Sequence, residues 1–214
     1  LPLNFVMPGN FCAEDVYYDD FDLGSTDSNT SVILDGGDGG VILKPAFYDD
    51  FTGSSLSATW LTGVWSAGGT DVVTGGNLVV DGASAATVKS FGPGSSLQFN
   101  ATFSSTTFQN IGFATDSAFD APWVTIGEGN TAGTLYLRDD LGASIALGSG
   151  LIGSEHYYRI DWNATGFTVY VDSVQIATLS KTVSSGMVAI ASDFNTGSGT
   201  LLVNWLRATP YADS

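Results

Sequence analysis

HYYRIDWNATGFTVYVDSVQIATL, residues His156 to Leu179, reads as three consecutive antiparallel strands with both connecting turns written into the chain. Tyr158, Ile160 and Trp162 alternate with Arg159 and Asp161, and Phe167, Val169 and Val171 alternate with Thr168, Tyr170 and Asp172. Successive side chains of a strand point to opposite faces, so this period of two predicts strands with one buried face each. Asn163 to Gly166 and Asp172-Ser173 supply the residue types that tight turns need.

Working outward, short β-prone runs recur between Gly-rich turns from Phe47 to Arg207. The pattern predicts strands at 47–51, 59–65, 71–74, 77–81, 86–91, 96–104, 108–115, 122–127, 133–138, 143–147, 156–163, 166–172, 174–180, 186–193 and 200–208. No segment carries a helical period. Many short strands without helices predict an all-β, two-sheet antiparallel sandwich. Residues 1–45 differ: they hold Pro2, Pro8 and Pro45, an acidic cluster from Glu14 to Asp22, and two aliphatic runs, Val32-Ile33-Leu34 and Val41-Ile42-Leu43, around Asp-Gly-Gly-Asp-Gly-Gly. The runs suit a hairpin, or two strand ends around a loop. The division expected is therefore an N-terminal extended segment, 1–45, and a sandwich domain, 46–214.

Composition excludes some functions. Apolar residues at 43% suffice for a core, and 22 acids against 6 bases give a net charge of -16. That charge repels a phosphate backbone and an anionic membrane surface, so nucleic acid is not an expected partner. No run approaches the roughly 18 apolar residues that span a bilayer, so membrane insertion is not expected. The chain begins at Leu1, and with its low charge and many hydroxyl and amide side chains this suits a secreted or cell-surface protein whose leader has been removed. Cys12 is the single cysteine and has no internal disulfide partner. The sequons at Asn29, Asn100 and Asn163 offer glycan acceptors: Asn100 lies out of phase with Leu97, Phe99 and Phe103, and Asn163 lies in a turn.

The aromatic meander of 156–179 followed by a closing strand, Leu201 to Arg207, resembles the concanavalin A-like (laminin G-like) jelly roll, over roughly 46–211. The resemblance implies a fold shared by extracellular lectins, glucanases and adhesion domains. Within it the laminarinase and lichenase group looks nearest, and its enzymes carry their carboxylates on one strand as Glu-x-Asp-x-Glu or Glu-x-Asp-x-x-Glu. Here the only glutamates are Glu14, Glu128 and Glu155, and Glu128 has no acidic residue two positions away. Glycoside hydrolysis needs two carboxyl groups flanking one bond, so the chain is expected to resemble non-catalytic relatives. Lyases of this jelly roll use His and Tyr beside Arg or Gln; His156, Tyr157 and Arg159 have the types but the spacing of a strand start. No spacing supports a Ser-His-Asp arrangement or a zinc site.

A structural calcium is the cofactor that the resemblance implies. Matched motif to motif, Asp50 of Phe-Tyr-Asp-Asp-Phe, Gly76 of Gly-Gly-Asn-Leu and Asn204 of Leu-Val-Asn-Trp-Leu stand at its ligands, with an amide at 204 where the relatives have a carboxylate. For sugar binding, Trp60, Trp65 and Trp123 are candidates, Trp65 and Trp123 foremost, while Trp162 and Trp205 run in phase with aliphatics and are expected in the core.

Three functions are weighed, and the sequence reading favours the first. The first is a non-catalytic building block of a surface filament or layer, a homopolymer assembling through its extension as a donor strand. Tyr17 and Phe21, in an aromatic-Tyr-Asp-Asp-Phe echo of 47–51, and the runs Val32-Ile33-Leu34 and Val41-Ile42-Leu43 are its assembly candidates. The second is a carbohydrate-binding, lectin-like module with a glycan ligand. The third and least supported is a glycan-cleaving enzyme.

Overall fold

The computed structural model describes residues 30–35 and 38–211, with side chains from 44 onward. Tyr17, Phe21, Cys12 and Asn29 lie outside the described residues. The first two strands, β1 (Thr30–Asp35) and β2 (Asp38–Leu43), form an antiparallel hairpin with Val32 opposite Val41. This hairpin is a sheet of its own and pairs with neither sheet of the sandwich.

Fifteen strands build the sandwich, as the sequence predicts. One sheet has seven strands in the order β12 (Ser144–Ala146), β11 (Tyr136–Asp139), β10 (Trp123–Gly127), β9 (Gln109–Ala114), β16 (Met187–Asp193), β7 (Ala83–Phe91), β4 (Trp60–Val64). The other runs β15 (Val174–Ser180), β14 (Gly166–Val171), β13 (His156–Trp162), β8 (Ser95–Thr102), β17 (Leu201–Pro210), β6 (Asn77–Asp81), β5 (Thr70–Thr74), with β3 (Phe47–Asp49) also on β17. All strand pairs are antiparallel.

The deciding stretch folds as read. Tyr158, Ile160 and Trp162 stand opposite Val171, Val169 and Phe167, and all six are buried between the sheets. Asp172 and Ser173 both have positive φ, 48° and 67°, which gives the two-residue connection the twist a hairpin needs. Phe99 stacks on Tyr158 with ring centroids 5.3 Å apart, and Trp162 stacks on Phe167 at 5.5 Å. From β8, Leu97, Phe99 and Ala101 fill the same layer.

Two tryptophans depart from expectation. Trp60 is core: it packs on Phe47 and Phe51, and its indole N–H donates to Asp49 at 2.7 Å. Trp205 is buried, as expected, but not between the sheets. A register shift between Val203 and Trp205 inserts an extra residue, Asn204, so Val203 and Leu206 face the core while Trp205 turns to the outer face of the eight-stranded sheet. There it meets Tyr157 and the Arg207 guanidinium. A bulge reverses the alternation on which phase arguments rest.

Candidate functional site

The outer face of the seven-stranded sheet carries a cleft of about 380 Å³, lined by Trp65, Phe108, Asn110, Ala118, Phe119, Trp123, Arg138, Ser192 and Phe194. Alternation places its floor. On β9, Gln109, Ile111 and Phe113 enter the interior, so Asn110 and Gly112 face the cleft; on β10, Val124 and Ile126 are core, so Trp123, Thr125 and Gly127 face outward. Glycine is required at 127, where a Cβ would lie 2.3 Å from the Asn110 amide oxygen and 2.2 Å from the Gln109 carbonyl. Asn110 thereby lies across the strand, donating to the Phe108 carbonyl at 3.0 Å and accepting from the Thr125 hydroxyl at 3.3 Å.

The walls are aromatic. Trp65, just past β4, packs against Phe194 with centroids 6.2 Å apart, and Phe108 meets Phe194 edge-on at 6.1 Å. Phe119 tilts against Trp123 at 5.4 Å, and the Arg138 guanidinium carbon stands 5.8 Å from the Trp123 ring. Phe108 and Phe119 have positive φ, 67° and 63°, a costly conformation for a bulky residue. Such backbone strain concentrates at ligand sites. The cleft thus brings together Trp65 and Trp123, the two tryptophans that the sequence favours for sugar binding.

Among the described residues no carboxylate lines this cleft. Glu128 and Asp193 are fully buried on the interior side, where Glu128 accepts from the amides of Thr106 and Gly133, and Asp193 accepts from Gln109 at 2.7 Å and from the Asn195 amide at 3.1 Å. Burial raises the pKa of both, against the hydrogen bonds they accept, and that of Asp193 reaches about 6 with Asp81 adding repulsion. Asp139 and Asp140 are held by Lys181, and Asp140 also accepts from the Trp123 amide at 2.9 Å.

A second constellation escapes sequence reasoning. Ser154 Oγ lies 3.0 Å from His156 Nε2, and His156 Nδ1 lies 2.8 Å from Asp172 Oδ2, which is the connectivity of a Ser-His-Asp triad. Asp172 comes from the β14–β15 turn, sixteen residues on, so only the hairpin register unites it with His156. The Gly150 carbonyl also lies 3.3 Å from Nε2. Nε2 is thus shared between the Ser154 hydroxyl and a backbone carbonyl. Asp172 is exposed, and the cleft belongs to the other sheet. Arg159 is likewise engaged, forking Asp161 and stacking 3.8 Å over Tyr170.

Of the calcium candidates, Gly76 and Asn204 meet, the Asn204 amide donating to the Gly76 carbonyl at 3.4 Å. Asp50 turns to its own loop and accepts from the Thr52 amide and hydroxyl. At Asn204 an amide nitrogen thus faces the Gly76 carbonyl where a cation would need an oxygen. No group of three His, Cys, Asp or Glu side chains converges among the described residues. Asn100 is half-buried on the outer face of the eight-stranded sheet between Tyr157 and Trp205 and reaches Glu155 at 3.5 Å. Asn163 closes its turn by accepting from Thr165 and Gly166.

No family model matches the chain, and no curated protein matches it. Solved structures do. A pseudo β-1,3-glucanase and immunostimulatory antigen of Mycobacterium tuberculosis matches with TM-score 0.59 at 15% identity, covering 78% of this chain and 99% of its own. An endo-acting O-glycanase of the human gut microbiota, of a kind that initiates mucin breakdown, matches with TM-score 0.60 at 12% identity, covering 79% and 100%. The β-glucanase of Bacillus licheniformis matches with TM-score 0.55 at 16% identity, covering 78% and 98%. At such identities the likeness is one of fold: the chain is a concanavalin A-like jelly roll.

Proposed function

We propose that the protein is a non-catalytic, extracellular glycan-binding sandwich that grips a saccharide between Trp65 and Trp123. The observation that carries this reading is the cleft itself, where two tryptophans remote in sequence join three phenylalanines around a few polar groups. Flat aromatic faces suit the apolar faces of sugar rings, and sparse polar groups fix orientation. Glycan-active proteins among the structural neighbours support the ligand class. The non-catalytic part rests on the chemistry at the groove: cleavage needs a facing carboxyl pair, and the described cleft is lined by indole, phenyl, amide, hydroxyl and guanidinium groups. Affinity electrophoresis through a panel of polysaccharides tests binding. Retardation that is lost in Trp65→Ala and Trp123→Ala supports it; equal mobility of all three proteins in every gel overturns it. Release of reducing ends from a retained polysaccharide overturns the non-catalytic part.

A second reading, self-assembly through the extension, is favoured by one observation, that the β1–β2 hairpin pairs with neither sheet. Open edges at β4 and β15 present the exposed aliphatics Leu61, Val64, Val174 and Ile176, onto which a strand of another copy could add. Removal of residues 1–45 is then expected to leave the sandwich folded by circular dichroism and to abolish higher-order species in size exclusion.

A further inference from the structure

Arg138 stands where two hollows meet. It lines the aromatic cleft, and it also lines a polar depression of about 280 Å³ beside it, together with Asn130, Thr131, Tyr136, Ser144 and the Lys181-paired Asp139. The two adjoin at Arg138, and their linings together run over β9, β10 and β11 towards β12. We propose that the ligand of this groove is an oligosaccharide bearing a hexuronic acid, whose carboxylate pairs with the Arg138 guanidinium at the junction of the two hollows. The inference rests on the glycan-binding reading above and narrows it.

Charge pairing is the argument. The chain has 22 acids for 6 bases, so a cation that needed an internal partner had many to choose from. Arg159 pairs with Asp161, and Lys181 pairs with Asp139 and Asp140. Two arginines have no carboxylate among the described residues: Arg207, which donates to the Gln98 side chain and lies over Trp205 on the other sheet, and Arg138, whose one hydrogen bond is from Nη1 to the Glu128 carbonyl, at 3.0 Å. A guanidinium offers five N–H donors in a planar fork, and its bond to one carbonyl leaves most of the fork turned to the groove. Half-buried, with burial alone shifting its pKa and downwards, the group pays desolvation with no ion pair in return. A neutral sugar does not offset that cost, whereas a carboxylate edge does, through two parallel hydrogen bonds.

The surroundings permit an anion. Asp139 and Asp140 share Lys181 as their counter-ion, which leaves one net negative charge there, and Glu128 and Asp193 are turned to the interior. At physiological salt the remaining negative charge is screened beyond about 8 Å. Asp116 and Asp120 belong to the loop that carries Phe119, where Asp116 accepts from the amides of Ala118 and Asp120. These rim acids disfavour a dense polyanion, so an acid spaced by neutral units suits the groove best.

The test uses the full chain and two uronate backbones, pectin of graded methyl esterification and glucuronoxylan with its carboxyl-reduced twin, beside neutral laminarin and a sulfated galactan. For at least one backbone the charged form is expected to bind about 10-fold more tightly than its neutralised twin. That ratio should fall with salt, approach one in Arg138→Gln and persist in part in Arg138→Lys. Because the twins are compared on the unaltered protein, a variant that misfolds does not affect this outcome. Equal binding of both twins of each pair, or tighter binding of the sulfated galactan, overturns the proposal; with laminarin still held by Trp65 and Trp123, the cleft reading stands. No retention of any polysaccharide removes both.

Discussion

Trp65 donates its indole N–H to the hydroxyl of Ser192 at 2.9 Å, a bond that crosses the seven-stranded sheet from the end of edge strand β4 to the inner strand β16, over β7. An edge aromatic is thereby anchored to an inner strand. Its face lies against Phe194, and the wall of the cleft is held open before any ligand arrives.

Ser192→Ala should loosen that wall. Loss of one hydrogen bond costs about 0.5–1.5 kcal/mol of stability, since the freed indole N–H regains water at the cleft. The expected result is a small drop in melting temperature, a red shift of tryptophan emission, and weaker glycan retention. Unchanged retention with the red shift present would show that the anchor does not matter to binding.

The buried acids predict how stability varies with pH. Asp193 has its pKa raised from 3.8 to about 6, burial first and Asp81 last among the causes that raise it. The folded state therefore holds a proton that the unfolded chain releases near its ordinary value. Stability contributed here is greatest below about pH 4, falls as pH climbs towards 6, and is flat above, a loss on the order of 2 kcal/mol. Asp81→Asn keeps an oxygen for the Gly197 amide, removes the like charge, and should move the fall to lower pH. Denaturant titrations at steps from pH 4 to 7.5, with carbon NMR of the Asp193 carboxyl, read both effects; a carboxyl that titrates at its ordinary value would falsify the account.

Calcium should matter only after a change of one residue. Since the Asn204 amide donates to the Gly76 carbonyl, the melting temperature of the unaltered protein is expected to ignore EDTA. Asn204→Asp replaces a donor by a carboxylate facing that carbonyl, which repels it without an ion and joins it in coordinating one. The variant should melt several degrees lower in EDTA and recover in millimolar calcium. A melting temperature of the unaltered protein that falls in EDTA would restore the cation to the native structure.

Enclosure of the cleft floor is checked by Gly127→Ala. A methyl group there meets the Gln109 carbonyl and the Asn110 side chain at about 2.2–2.3 Å, so β9 and β10 must part. Destabilisation on the order of 2–3 kcal/mol is expected from such overpacking, read in thermal melts. An unaltered melt would mean that the strands yield more readily than their pairing suggests.

Much of the fold was legible in single residues. Alternation at Tyr158-Ile160-Trp162 and Phe167-Val169-Val171 names the buried faces, because a strand's side-chain period is two whatever surrounds it, and turn residues such as Asp172-Ser173 mark the ends. Where local preference is weak the reading thins out: the first residues of β7, Ala83 to Ala86, have poor strand preference, and are strand because β16 and β4 pair them on both sides. Burial of Trp205 was legible but not the side of the sheet on which it is buried, since the extra residue at Asn204 is visible only against the partner strand β8.

The function-bearing arrangement was legible only as a choice of residue types. Trp65 and Trp123 could be singled out, but not that Phe108, Phe119 and Phe194 would join them, nor that Arg138 would stand unpaired between two hollows. The chain alone determined an all-β sandwich and its core, for burial and alternation are local properties of each strand. Which strands became neighbours, and so which side chains share a groove, which acids are sealed behind it and which cation lines it, was decided by sheet order. That order comes from packing among residues far apart in the chain, a cooperative quantity that no local stretch contains.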